Sequence, residues 1–68
     1  MTVVVNGETV EIEGRVRVVD VLRRVNVRVD AAGVAVARNG EVLPRSAWTT
    51  VELDAGDHIE VLHAVQGG

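Results

Sequence analysis

The sequence predicts an α+β domain: a mixed sheet of four or five strands with one main helix packed on one face. Three observations predict it. Two Asn-Gly pairs, at 6–7 and 39–40, each follow a short valine-rich run, the pattern of a strand reversed by a tight turn. Between them, residues 16–27 switch from alternation to a helical period. Residues 58–65 then return to a strand pattern near the end of the chain.

The elements follow in order. "TVVVNGETVEIE" (2–13) reads as a β-hairpin, with Asn6-Gly7 supplying the positive-φ pair of a two-residue turn. Val3, Val4 and Val5 are apolar on both faces, which suits a strand inside a sheet. Val10 and Ile12 alternate with Thr9, Glu11 and Glu13, giving one buried and one wet face. In "VRVVDVLRRVNV" (16–27), Val18, Val21, Leu22 and Val25 fall at i, i+3, i+4 and i+7, opposite Asp20, Arg23 and Arg24. As a strand, the same stretch would place Arg23 among the valines. Asp20 near its start and Arg23, Arg24 and Arg28 further on complement the macrodipole. "VDAAG" (29–33) leads the chain away to a short strand, "VAVAR" (34–38), closed by Asn39-Gly40. Pro44 cannot donate to a ladder and interrupts pairing there. Val51 and Leu53 lead into the turn "DAGD" (54–57), and "HIEVLHAV" (58–65) is the last strand. In so short a chain the order ββαββ places the first and last strands centrally and parallel. This is a β-grasp layout, from which the C-terminal end projects freely.

Composition narrows the function. Sixty-eight residues make a single domain, 1–68, near the lower size limit for one core. Apolar residues make up 47%, too many for a disordered chain, and seventeen of them are valine, whose branched Cβ favours strands. With no cysteine, neither a disulfide nor a thiolate nucleophile or metal site is available. The net charge of −3 argues against a binder of phosphate backbones, so no nucleic-acid partner is expected. No apolar run approaches a membrane span and no signal peptide is evident, which predicts a soluble cytoplasmic domain.

The polar side chains give little catalytic pattern. His58 and His63 lie five apart on one strand and point to opposite faces, so no metal site is expected. Asp54 and Asp57, with Glu52 and Glu60 nearby, lack the ligand series of a calcium loop and read as turn carboxylates. Ser46 is the only serine and has no nucleophile-elbow motif around it; without lysine there is no phosphate-binding loop. Trp48, the one aromatic, reads as a core residue, with partner docking as the other reading. Pro44-Arg45 reads as a turn, with an anion contact through Arg45 as its alternative.

The tail remains. The chain runs from a strand directly into Gly67-Gly68. Without side chains, such residues can thread a narrow channel in any backbone conformation and present the Gly68 carboxylate to a distant active site. A carboxylate becomes an electrophile only when its oxygen is made a leaving group, and adenylation by ATP does that.

Five stretches carry a resemblance over nearly the whole chain: "VNGE" (5–8), "VVDVLRRV" (18–25), "VAVARNGEVLPRSAW" (34–48), "DAGDHIEV" (54–61) and "AVQGG" (64–68). With them the sequence resembles the thiamine-biosynthesis sulfur carriers of the ThiS family, ubiquitin-like β-grasp proteins. The resemblance implies a protein cosubstrate rather than an enzyme, with no bound cofactor. An E1-like adenylyltransferase (ThiF) would use ATP to adenylate the Gly68 carboxylate. A sulfur donor such as a cysteine desulfurase would convert it to a thiocarboxylate, and thiazole synthase (ThiG) would take the sulfur. Gly67 and Gln66 would thread the partners' channels, residues 66–68 forming a flexible reactive tail, and Leu62 with Val65 would dock against them. Carriers for molybdopterin or cysteine synthesis, a ubiquitin-like protein modifier and a passive interaction module are the competing readings. One departure stands out: Arg17 occupies the helix N-cap, where the family usually has threonine or serine. It cannot accept the orphan N–H bonds, so a weak or shifted helix start is expected.

Overall fold

The computed structural model describes residues 1–30 and 32–63. Five strands and one helix occur in it: β1 (Thr2–Val5), β2 (Glu8–Glu11), α1 (Val18–Arg24), β3 (Val34–Arg38), β4 (Glu41–Leu43) and β5 (His58–His63), with a 3₁₀ turn at Arg45–Ala47. The strands form one sheet in the order β2-β1-β5-β3-β4, in which only β1 and β5 are parallel. The first and last strands therefore lie inside the sheet and side by side, as the sequence predicts. Among the described residues no helix is long and apolar enough to cross a membrane.

Both hairpins turn as their Asn-Gly pairs dictate. Asn6 and Gly7 have φ of 49° and 82°, and Asn39 and Gly40 have 49° and 86°. Both central residues are left-handed, the geometry whose twist matches that of the flanking strands. Register follows directly: Val5 faces Glu8 across the first turn and Arg38 faces Glu41 across the second.

Alternation sorts the sheet into two faces. Val3, Val5, Val36, Ile59 and Val61 point to the helix and are buried with Val18, Val19, Val21 and Leu22 of α1. Ile12, Trp48 and Leu53 complete this core from the connecting segments. Burying one such side chain contributes about 1.5–3 kcal/mol, so a dozen of them is a workable core for a chain this short.

The helix begins at Val18, with Arg17 as N-cap and no side-chain cap. Its start is not shifted, because the orphan donors find partners elsewhere. The Val18 N–H donates to the Val51 carbonyl at 3.0 Å and the Val19 N–H to the Trp48 carbonyl at 2.9 Å. The Asp20 carboxylate reaches back to the Arg17 N–H at 2.9 Å. At the other end Asn26 takes the left-handed φ of 63°. Its N–H bonds the Arg23 carbonyl, and that of Val27 bonds the Leu22 carbonyl, a Schellman stop made with asparagine in place of glycine. The helix spans seven residues, shorter than the 16–27 segment that predicts it.

Candidate functional site

Strand β5 is the element that leads to the chain's end, and its neighbours hold it along most of its length. On one side it pairs with all of β3, from Val34 opposite His63 to Arg38 opposite Ile59. On the other, Val4 and Val5 of β1 pair only with His58 and Ile59. The two turn asparagines extend this grip. Asn6 donates its N–H to the Ile59 carbonyl at 2.9 Å, and its side-chain oxygen accepts from the Val61 N–H at 2.8 Å. Asn39 holds His58 in the same double fashion, through the His58 carbonyl at 2.8 Å and N–H at 2.9 Å. Beyond Val61 the β1 side of the strand has no paired strand among the described residues.

The start of β5 is fixed by charge as well. Asp57 is 7% exposed and is the buried charged residue among the described ones. The Arg38 guanidinium donates to its carboxylate through Nε at 2.9 Å, with Nη2 at ion-pair distance of 2.8 Å, and the Asn39 amide donates at 3.0 Å. The Asp54 N–H adds a third donor at 2.8 Å, and the Asp54 carboxylate accepts from Arg38 at 3.1 Å. Burial pushes the Asp57 carboxyl up, but the Asp54 N–H, the Asn39 amide and the Arg38 guanidinium outweigh it and hold its pKa below the ordinary aspartate value. The turn carboxylates are thus bound to a structural network and present no free acid–base pair.

The outer face of the sheet, away from α1, carries the exposed apolar surface. Leu62 is 56% exposed there and Val42 is 74% exposed. Ala35 lies opposite Leu62, and Ala37 lies between Val42 and Glu60, so two small residues keep the ground between the larger ones low. Leu62 is the docking residue the resemblance implies, and the structure shows it exposed on this face. Val65 lies outside the described residues, as do Gln66, Gly67 and Gly68.

The remaining sequence candidates take structural places. His58 and His63 are both exposed and, by strand parity, face opposite ways. Among the described residues no group of three histidine, cysteine or acidic side chains gathers around a common point. Trp48 is 3% exposed, a core residue as expected, with its indole N–H on the Leu43 carbonyl at 3.3 Å. Arg45 lies over the Trp48 ring at 4.4 Å and donates to the Val29 and Val34 carbonyls, tying the crossover to the segment before β3. The described contacts of the guanidinium are thus to backbone carbonyls and to the Trp48 ring. The Asp57 network and exposed Val42 were not foreseen. The paired stretches "ARNG" and "DAGD" were its only trace in the sequence, and each reads locally as a turn.

Comparison with known proteins agrees with this geometry. The ThiS family model matches residues 3–68. The crystal structure of the thiamine biosynthesis protein ThiS from Geobacter metallireducens superposes with a TM-score of 0.81 at 34% identity, covering the whole of both chains. The solution structure of the thiamine biosynthesis protein from the same organism gives 0.76 at 34% identity, over all of this chain and 88% of that one. A thiazole synthase of Paramagnetospirillum magneticum is 34% identical over 68 residues, and the chain spans only 20% of that relative's length. By fold, and by a match that runs from the first strand to the last residue, the chain belongs to the ThiS family.

Proposed function

We propose that this chain is a sulfur carrier for thiazole formation in thiamine biosynthesis, a protein cosubstrate rather than a catalyst, working in the cytoplasm. The observation that carries the reading is that the family match extends through Gln66, Gly67 and Gly68. The described residues supply no competing chemistry: the buried carboxylate among them is committed to Arg38, and the sequence has no thiol. The 34% identity to a segment of a thiazole synthase favours thiamine over other sulfur-carrier pathways.

The reading requires a free α-carboxylate on Gly68. One of its oxygens attacks the α-phosphorus of ATP on an E1-like adenylyltransferase, and pyrophosphate leaves. Sulfide then attacks the carbonyl carbon of the acyl adenylate, AMP leaves, and a thiocarboxylate remains. Where the sulfur arrives as a desulfurase persulfide, the acyl disulfide formed needs a thiol reductant to release the thiocarboxylate. Thiazole synthase accepts that sulfur. The bare Gly67 and the slim Gln66 pass through the partners' channels. Leu62, with Val42 beside it across the alanines, meets both enzymes in turn.

The test is an intact mass after incubation with the adenylyltransferase, ATP and sulfide, with the change localised to the C-terminal fragment. An ATP-dependent exchange of oxygen for sulfur at Gly68 supports the reading. An unmodified carboxylate beside an enzyme active on a known carrier overturns it.

A further inference from the structure

The charge of this acidic protein is not evenly spread. Residues 15–28 hold five arginines against one aspartate, whereas the rest of the chain holds two arginines against nine carboxylates. Arg17, Asp20, Arg23 and Arg24 are exposed and fall at helical spacing on one side of α1. Asp20 offsets one of these charges but forms no ion pair with the arginines, its carboxylate accepting from the Arg17 backbone N–H at 2.9 Å. Arg15, Arg17, Arg23 and Arg24 make no ion pair with any described residue, while Arg28 has only an exposed contact with Asp30 at 3.7 Å. This stripe is on the opposite side of the molecule from Leu62 and Val42.

Beside the stripe lies an open cleft of about 660 Å³, between α1 and the segment that follows β2. Val16 gives it a partly exposed apolar floor, with Ile12 and Val21 almost wholly buried beneath it, and Arg23 and Arg24 line it from the helix together with Asp20. Glu11 and Glu13 line the side toward β2. Glu11 is already engaged by the Thr2 hydroxyl at 2.7 Å and the N-terminal ammonium at 3.4 Å.

We infer that this cleft and its arginines form a second docking surface, for an acidic segment of a partner protein. Its occupant sets an apolar side chain against Val16 and flanking carboxylates on Arg23 and Arg24. Charge complementarity selects it: a planar guanidinium meets a carboxylate through two parallel N–H bonds, and all of the basic side chains here are arginine. A nucleic acid fits less well: it has no aliphatic side chain for the floor, and the one aromatic that could stack on a base is buried. The surface does not rest on sulfur carriage. It leaves the outer sheet face free, so both faces can be occupied together.

The test titrates the full chain with a labelled synthetic peptide of alternating leucines and glutamate pairs, following amide chemical shifts and anisotropy. The controls are the same peptide with glutamine for glutamate and a single-stranded oligonucleotide of equal charge. Shifts confined to residues 11–24, weakening with salt, are expected. Arg23→Glu with Arg24→Glu should reduce affinity about tenfold. Both sites are exposed and glutamate is a good helix former; R23Q/R24Q, with a smaller loss, replaces the pair if the charge reversal disturbs the spectrum. Shifts on β4 and β5 instead, equal binding of the glutamine peptide, or no shift at millimolar peptide overturns the inference. Tighter binding of the oligonucleotide also overturns it and assigns the stripe to nucleic acid.

Discussion

The two ends of β5 are held in different ways. At its start, Asp57 gathers Arg38, Asn39 and the Asp54 N–H, and Asn39 clasps His58 from the adjoining turn. At its far end, β1 has stopped pairing, Asn6 reaches only to Val61, and β3 alone continues beside His63. The contrast separates two tasks within one strand. A cooperative polar network fixes register where the strand enters the sheet. Ladder bonds on one side suffice where the chain leaves it, which keeps the backbone near the exit accessible to a partner.

Cutting at the exit should give the largest effect. Removal of Gly67 and Gly68 is expected to abolish ATP-dependent modification entirely, measured by mass, while Tm stays within about 1 °C, since no described core residue is touched. The same loss of modification with a fall of many degrees would mean that the tail supports the fold. At the entry, Asp57→Ala should do the reverse. It leaves Arg38 without its buried partner and is expected to cost about 2–3 kcal/mol in denaturant unfolding, with the end chemistry retained.

The same carboxylate sets an acid limit. Because its pKa is lowered in the folded state, its stabilising contribution is complete above the ordinary value of 3.8 and is lost as pH falls through the lowered one. The stabilities of the native chain and Asp57→Asn should therefore converge in acid below that range. A gap that persists there would show that packing, not ionisation, is what Asp57 supplies.

Smaller changes compare the clasps. Asn6→Gly and Asn39→Gly both keep the positive φ, so their difference isolates the side-chain bonds. Asn6→Gly loses one bond, to Val61, and should cost about 1 kcal/mol; Asn39→Gly loses two and should cost about 2. Equal costs would erase the asymmetry between the ends. Least of all, Arg17→Ser should add under about 0.5 kcal/mol, below the usual value of a cap. The Val18 and Val19 N–H groups already have carbonyl partners from Trp48 and Val51.

Much of this molecule can be read one segment at a time. Asn-Gly within valine runs specified both hairpins, and the spacing of Val18, Val21 and Leu22 specified the helix, because turns and periodicity are set by residues within a few positions of one another. The absence of thiols and the presence of the Gly67-Gly68 pair are equally local. Other features needed distant segments to meet. Arg38 and Asp57 are nineteen positions apart, and Asn6 and Val61 fifty-five, so no window of sequence contains either bond. The helix start, judged weak from Arg17 alone, is completed by carbonyls delivered from the crossover thirty positions later. The exposure of Val42 and Leu62 was decided in the same way. A valine or leucine has the same chemistry on either face, and only strand order and the position of the helix determine which face meets water.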